Sequence, residues 1–155
     1  MKRKQKQILE VAAIKQGTVL DHLPGDKVLQ IVELLSCETH SPITLGINLE
    51  SKKLRAKGII KLSARNLTEA EMNKIAIIAP DATVNTIENY DVVKKKKIVL
   101  RNIEPNTLFC TNPSCITNAE KTITRFHLLE KNPLKIQCFY CERILEKNEI
   151  KFLIS

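Results

Sequence analysis

Four cysteines carry the strongest chemical signal in the sequence. Four residues separate Cys110 from Cys115 and two separate Cys138 from Cys141, with 22 residues between the pairs. A tetrahedral four-thiolate zinc site needs this arrangement: each pair supplies two sulfurs from one tight loop, and an intervening hairpin brings the pairs together. The first loop, Thr111-Asn112-Pro113-Ser114, is built of turn-forming residues. The second, Phe139-Tyr140, is less turn-like and depends more on the metal. One structural Zn2+ per chain is therefore expected, with Zn–S distances of about 2.3 Å. Four thiolates leave no coordination position for a reactive water, so the ion is not expected to catalyse. Two disulfides are the alternative, disfavoured because nothing marks the chain as secreted and thiols stay reduced inside cells. His127, between Phe126 and Leu128, reads as a surface or packed strand residue, and Cys37 as a small apolar core residue.

Other chemistry is sparse. The nucleophile elbow, the P-loop and the dinucleotide glycine fingerprint are all missing, and the four glycines are scattered. Any phosphate would have to be held largely by lysine side chains as point charges. Asp21-His22 is the one adjacent acid–histidine pair, and neighbours on a strand point to opposite faces, so it is not by itself a catalytic dyad.

The net charge of +8 comes from two runs of four: Lys2, Arg3, Lys4 and Lys6, then Lys94 to Lys97. The remainder is close to neutral, unlike the spread basic face of a nucleic-acid binder. With aromatics at 4% and no Trp, a stacking platform for single strands is not expected either. A nucleic-acid-binding zinc ribbon and a small hydrolase using Asp21 and His22 are the rivals. No apolar run is long enough to cross a bilayer and no secretion signal follows the basic start, so the expected compartment is the cytoplasm.

Several elements must position these groups. Ile8–Ile14 reads as β-compatible, Gln16-Gly17 as a break and Thr18–Leu23 as a strand. Pro24-Gly25-Asp26 turns into a helix over Asp26–Ser36, with Val28, Leu29, Ile31, Val32 and Leu35 at helical spacing. Thr44–Leu49 alternates, Leu45, Ile47 and Leu49 facing one way and Thr44, Gly46 and Asn48 the other, as a half-buried strand does. Lys57–Leu62 is another strand, after a polar tip at Ser51-Lys52-Lys53. A second helix opens at Thr68, where Thr68 and Glu71 form a capping box, and stops at Pro80. Thr83–Glu88 and Tyr90–Val93 read as strand. The order β, β, α, β, β, α, β predicts an α+β ferredoxin-like sandwich, an antiparallel sheet with two helices. Beyond it, Asn102–Thr107 reads as a linker, and Thr122–Leu129, Leu134–Gln137 and Ile150–Ile154 as strands of a small all-β zinc domain. Some 55 residues are too few for a strong core, so the metal must supply folding energy. The expected division is 1–100 and 101–155.

The stretches Ala13–His22, Ile43–Leu49, Ala79–Asn85 and Ile87–Val93, the four-cysteine pattern and Asn112–Ile116 together resemble the aspartate carbamoyltransferase regulatory chain, from about Leu9 to the C-terminus. The resemblance implies a non-catalytic regulatory subunit of pyrimidine biosynthesis. Its N-terminal domain would bind CTP or UTP as inhibitors and ATP as activator, and form homodimers. Its zinc domain would dock on the catalytic chain, three regulatory dimers bridging two catalytic trimers. It further implies nucleotide contacts at Val11, Ala12, Ile14, Lys15, Val19, Asp21, His22, Lys61, Asn85, Ile87, Tyr90, Val92 and Lys95. Ala12 stands where a known member has glutamate, so only a backbone contact carries over there. Lys94 stands where the family often has glycine, so the phosphate lysine is Lys94 or Lys95. The zinc ligands would be Cys110, Cys115, Cys138 and Cys141, with Asn112, Ser114, Asn118 and Glu142 as candidate docking residues.

Overall fold

A computed structural model describes residues 11–35, 41–53 and 55–153. They divide into two compact units. The first holds residues 11–28, 41–53, 55–66 and 83–96, and the second holds 29–35, 67–82 and 97–153.

The first unit is built on a five-stranded sheet of β1 (Gln16–Leu23), β2 (Ile43–Ser51), β3 (Arg55–Ser63), β4 (Thr83–Glu88) and β5 (Asp91–Lys97). The strand order is β2-β3-β1-β4-β5, with β1 antiparallel to both β3 and β4, and β2 antiparallel to β3. Chain order places α1 (Val28–Leu34) between β1 and β2, and α2 (Glu69–Ile78) between β3 and β4. These are ferredoxin-like connections with β5 added at the β4 edge, and the α+β expectation holds.

The details depart from the expected strands in four places. Of Ile8–Ile14, residues 8–10 lie outside the described residues, and 11–14 form no strand. Gln16-Gly17 does not interrupt β1 but begins it. Gly17 has φ 132°, and a Cβ there would overlap the Leu62 carbonyl oxygen, so glycine is what lets β1 and β3 meet at this point.

The alternation expected for β2 is broken. The register shifts between Gly46 and Leu49 with Asn48 at φ 59°; Ile47, inside the shift, is exposed, while Leu45, ahead of it and opposite buried Ile60, is exposed on the open edge of β2. A bulge changes which face each later residue takes, and a lone strand's periodicity cannot reveal it. Tyr90 sits in a turn rather than a strand. Asn89 and Tyr90 both have positive φ, 50° and 70°, the conformation that joins tightly connected strands. The strand after the turn runs on through the whole lysine run, on a sheet edge where four like charges stay solvated and discourage further pairing.

Helix α1 is shorter than its expected span, preceded by a 3-10 turn at Gly25–Lys27. Val28, Ile31 and Leu35 are buried, but Leu29 is 59% exposed. Cys37 lies outside the described residues. The capping box of α2 forms as expected: Glu71 N–H donates to Thr68 Oγ1 (3.2 Å), and Thr68 N–H donates to Glu71 Oε2 (2.8 Å). Ile75 through Ala79 are all buried.

The second unit contains two small sheets around the cysteines. Strand β6 (Leu108–Phe109) pairs with β10 (Lys151–Phe152), and β7 (Phe126–Lys131), β8 (Leu134–Cys138) and β9 (Ile144–Glu146) form a meander. A short helix α3 (Ile116–Ala119) follows the first knuckle. Residues 122–125 and 150 are not strand, and β9 and α3 were not apparent from periodicity because each is too short to show one. Among the described residues from 101 on, Leu108, Ile136 and Leu145 are the large side chains fully buried, a modest core for so many residues.

Candidate functional site

The two cysteine loops converge. All four Sγ atoms lie within 4.8 Å of one another, with Cys110–Cys141 at 3.6 Å and Cys115–Cys138 at 3.8 Å. A disulfide requires about 2.05 Å, so these are free thiols. Sulfurs bound to one tetrahedral ion at about 2.3 Å would stand about 3.8 Å apart, and the observed spacing meets that. The donor set fits a thiophilic ion.

Local hydrogen bonds explain why the loops close this way. In the first, Asn112 forms an Asx turn, its Oδ1 accepting from Ser114 N–H (3.1 Å), and Cys115 N–H donates to Asn112 O (3.0 Å). The Asn118 amide then donates to both Cys110 O (2.8 Å) and Asn112 O (2.7 Å). In the second, Cys138 N–H donates to Arg143 O, and Glu142 N–H to Cys138 O, with Glu142 at φ 60°. Asn112 and Asn118 thus spend their polar groups inside the knuckle rather than offering them to a partner. Ser114 and Glu142 stay exposed.

The thiols differ in how readily they ionise. Burial pushes the Cys110 thiol well above its ordinary range, and burial likewise raises Cys138. At Cys141 burial also opposes ionisation, but the Asn112 side chain, the Arg143 N–H and the neighbouring sulfurs outweigh it and bring the thiol down to about 7. Backbone N–H groups of Asn112, Tyr140 and Cys141 also point at sulfur, and Thr117 Oγ1 donates to Cys115 Sγ (3.2 Å). Such donors disperse the negative charge that four thiolates place around one divalent ion. His127 is an exposed β7 residue whose ring lies 5.5 Å from that of Phe139, and it is not part of the four-cysteine cluster.

A second constellation lies in the first unit. Val19 stands between Lys61 on β3 and Asn85 on β4 in register, so all three side chains share one face of the sheet. Lys61 Nζ donates to the carbonyls of Val11 (3.1 Å) and Ala12 (2.6 Å), tying the entering segment to the sheet. Desolvation lowers its pKa. Asn85 Oδ1 is buried with no partner among the described residues. Asp21, opposite Thr83, is bound by Lys57 at 2.7 Å. Burial opposes its ionisation, yet the Lys57 ammonium, the His22 N–H and their charges hold its carboxyl below the usual value.

His22 departs from the expected alternation. It has φ 61° at a register shift between Leu20 and Leu23, which brings its Nδ1 to 3.8 Å from Asp21 Oδ2 and 3.4 Å from Thr83 Oγ1. Lys57, absent from the expected residues, is the partner that sequence distance hid, 36 positions from Asp21. Tyr90 N–H donates to Lys15 O (3.1 Å). Tyr90, Val92, Lys94 and Lys95 are exposed, Ile87 is buried, and Ile14 is half-buried. Strand alternation sends Lys94 and Lys95 to opposite faces of β5.

Among the described residues no helix is long and apolar enough to cross a membrane. Comparison with known families gives two matches. Residues 9–99 match the aspartate carbamoyltransferase regulatory chain, allosteric domain. Residues 99–151 match the metal binding domain of the same chain. The chain is 48% identical over 145 residues to the aspartate carbamoyltransferase regulatory chain of Pyrococcus horikoshii, covering 92% of this chain and 95% of that one. It is 44% identical over 149 residues to the chain so named from Phocaeicola vulgatus, covering 96% of both. The identity with that of Bacteroides thetaiotaomicron is 42%, covering 96% of this chain and 97% of the other.

Proposed function

The chain belongs to the aspartate carbamoyltransferase regulatory chain family, a non-catalytic subunit with an allosteric and a metal-binding part, and we propose that it binds nucleoside triphosphates on the sheet face around Val19 and conveys that binding to a catalytic chain. The observation that carries this reading is the cross-strand set Val19, Lys61 and Asn85 beside the Lys57–Asp21–His22 cluster. It combines a carboxylate able to accept from ribose hydroxyls, an amide oxygen with no protein partner, and cations for phosphate. Val11, Ala12, Ile14, Lys15, Ile87, Tyr90 and Val92 complete the proposed contacts, with Lys94 or Lys95 holding the phosphate tail. CTP and UTP are the proposed inhibitors and ATP the activator.

The metal is proposed to be zinc, held by Cys110, Cys115, Cys138 and Cys141. When bound it supplies structure only: it fixes the two knuckles whose exposed residues, Ser114 and Glu142 among them, meet the catalytic chain. The functional division is placed near residue 100, a reading supported by the two family matches meeting at residue 99. Edge strand β2, with Leu45 and Ile47 exposed, supports pairing of two regulatory chains through the first unit, and three such dimers would bridge two catalytic trimers in the cytoplasm. A nucleotide preferring one quaternary state shifts the population toward it.

The deciding experiment mixes the metal-loaded chain with a matching catalytic trimer and measures carbamoylation of aspartate with and without CTP, UTP and ATP. Nucleotide-dependent rates that vanish with Asp21→Ala support the reading. Rates indifferent to every nucleotide, despite assembly, would sink it.

A further inference from the structure

The second unit holds a cavity of about 390 Å³ lined by none of the four cysteines. Its size falls in the ordinary range for small-molecule sites, roughly 300–1,000 Å³. It is lined by the end of α2, the end of β5 with the segment after it, and the turn between β7 and β8. The walls are apolar: Ile77, Pro80, Ile98, Leu100, Pro133 and Leu134. Three lysines also line it, Lys97, Lys131 and Lys147, against a single carboxylate, Asp81. Asp81 lies 3.9 Å from Lys97, which neutralises one of the three. Lys131 and Lys147 are exposed and have no ion-pair partner among the described residues.

We propose that this cavity binds a small amphipathic organic anion, its apolar body against α2 and Leu134 and its anionic head between Lys131 and Lys147. The charge balance selects the head group. Two unpaired ammonium groups on flexible stems reach an anion without burying it, and their methylenes extend the apolar wall. The walls select the body, since a bare inorganic anion would leave them wet and gain nothing from burial. None of the residues lining the cavity is among the nucleotide contacts proposed above, so this inference does not rest on them.

The test titrates the metal-loaded full chain with 1-anilinonaphthalene-8-sulfonate, followed by fluorescence. One saturable site per chain is expected. Charge reversal in the double variant Lys131→Glu/Lys147→Glu should weaken the probe at least tenfold, while the uncharged analogue N-phenyl-1-naphthylamine binds both proteins alike. Both lysines are exposed, so the variant is expected to fold, which metal content and circular dichroism verify. Val99→Trp gives a second test that leaves the lysines in place, because Val99 lines the cavity yet is 57% exposed. It should reduce the binding of both probes. Non-saturable fluorescence, equal affinity for the sulfonate in the charge-reversed chain, or indifference of both probes to Val99→Trp would each overturn the proposal.

Discussion

Asn118 has the most consequential small role. Its one amide nitrogen spans the carbonyls of Cys110 and Asn112, fixing the direction in which the Cys110 sulfur approaches. Residues that orient metal ligands typically contribute about 10–100-fold in affinity. Asn118→Ala should therefore release metal to a chelator about 10–100-fold more readily, read by competition with a colorimetric zinc indicator, while Ser114→Ala leaves release unchanged. A different test belongs to Asp21. Its carboxyl is held below 3.8 by Lys57 despite burial, so its contribution to stability is complete above that value and is lost as pH falls through the lower folded value. Lys57→Met should raise the Asp21 pKa and move the loss of stability to higher pH, which carboxyl NMR titration and acid unfolding would record. An unmoved resonance would mean that Lys57 does not set this site.

At the scale of elements, caps and turns decide more than propensity. Removing the reciprocal bonds at the head of α2 with Thr68→Ala should cost about 1 kcal/mol, measurable by urea unfolding. The bulge in β2 and the left-handed residues His22 and Asn48 reassign faces that strict alternation would fix. Leu45, opposite buried Ile60 ahead of the bulge, is exposed because β2 is a sheet edge, whereas Ile47 is exposed within the bulge itself. Strand β5 supplies the sharpest element-level test. Because Lys94 and Lys95 point to opposite faces, only one can join Val19, Lys61 and Asn85. Lys94→Met and Lys95→Met should therefore differ, one weakening CTP by roughly tenfold or more and the other by little, in a calorimetric titration.

At the scale of the whole chain, the metal links chemistry to folding. Among the described residues from 101 on, few large side chains are fully buried, Leu108, Ile136 and Leu145, so metal-binding free energy there is folding free energy. Chelation should unfold the C-terminal part, seen as loss of circular dichroism and faster amide exchange beyond about residue 100, and should dissociate any assembly with the catalytic chain. Because burial raises Cys110 and Cys138, the ion must displace protons from them. Uptake should therefore release protons, and apparent affinity should fall as pH falls.

The four clustered cysteines, the capping box of α2, the α+β class and the regulatory-chain resemblance were all legible in the sequence. Each rests on local spacing or on a motif, and local rules are written in order along the chain. What only the tertiary structure decided was which distant groups meet. The Lys57–Asp21 pair, the Val19–Lys61–Asn85 row and the hold of Lys61 on the carbonyls of Val11 and Ala12 depend on strand register. Register in turn hinges on single residues: a glycine that lets two backbones touch at Gly17, and one extra residue that turns a strand over in β2. Such events leave no periodic trace, since a shift of one position exchanges the two faces of everything that follows.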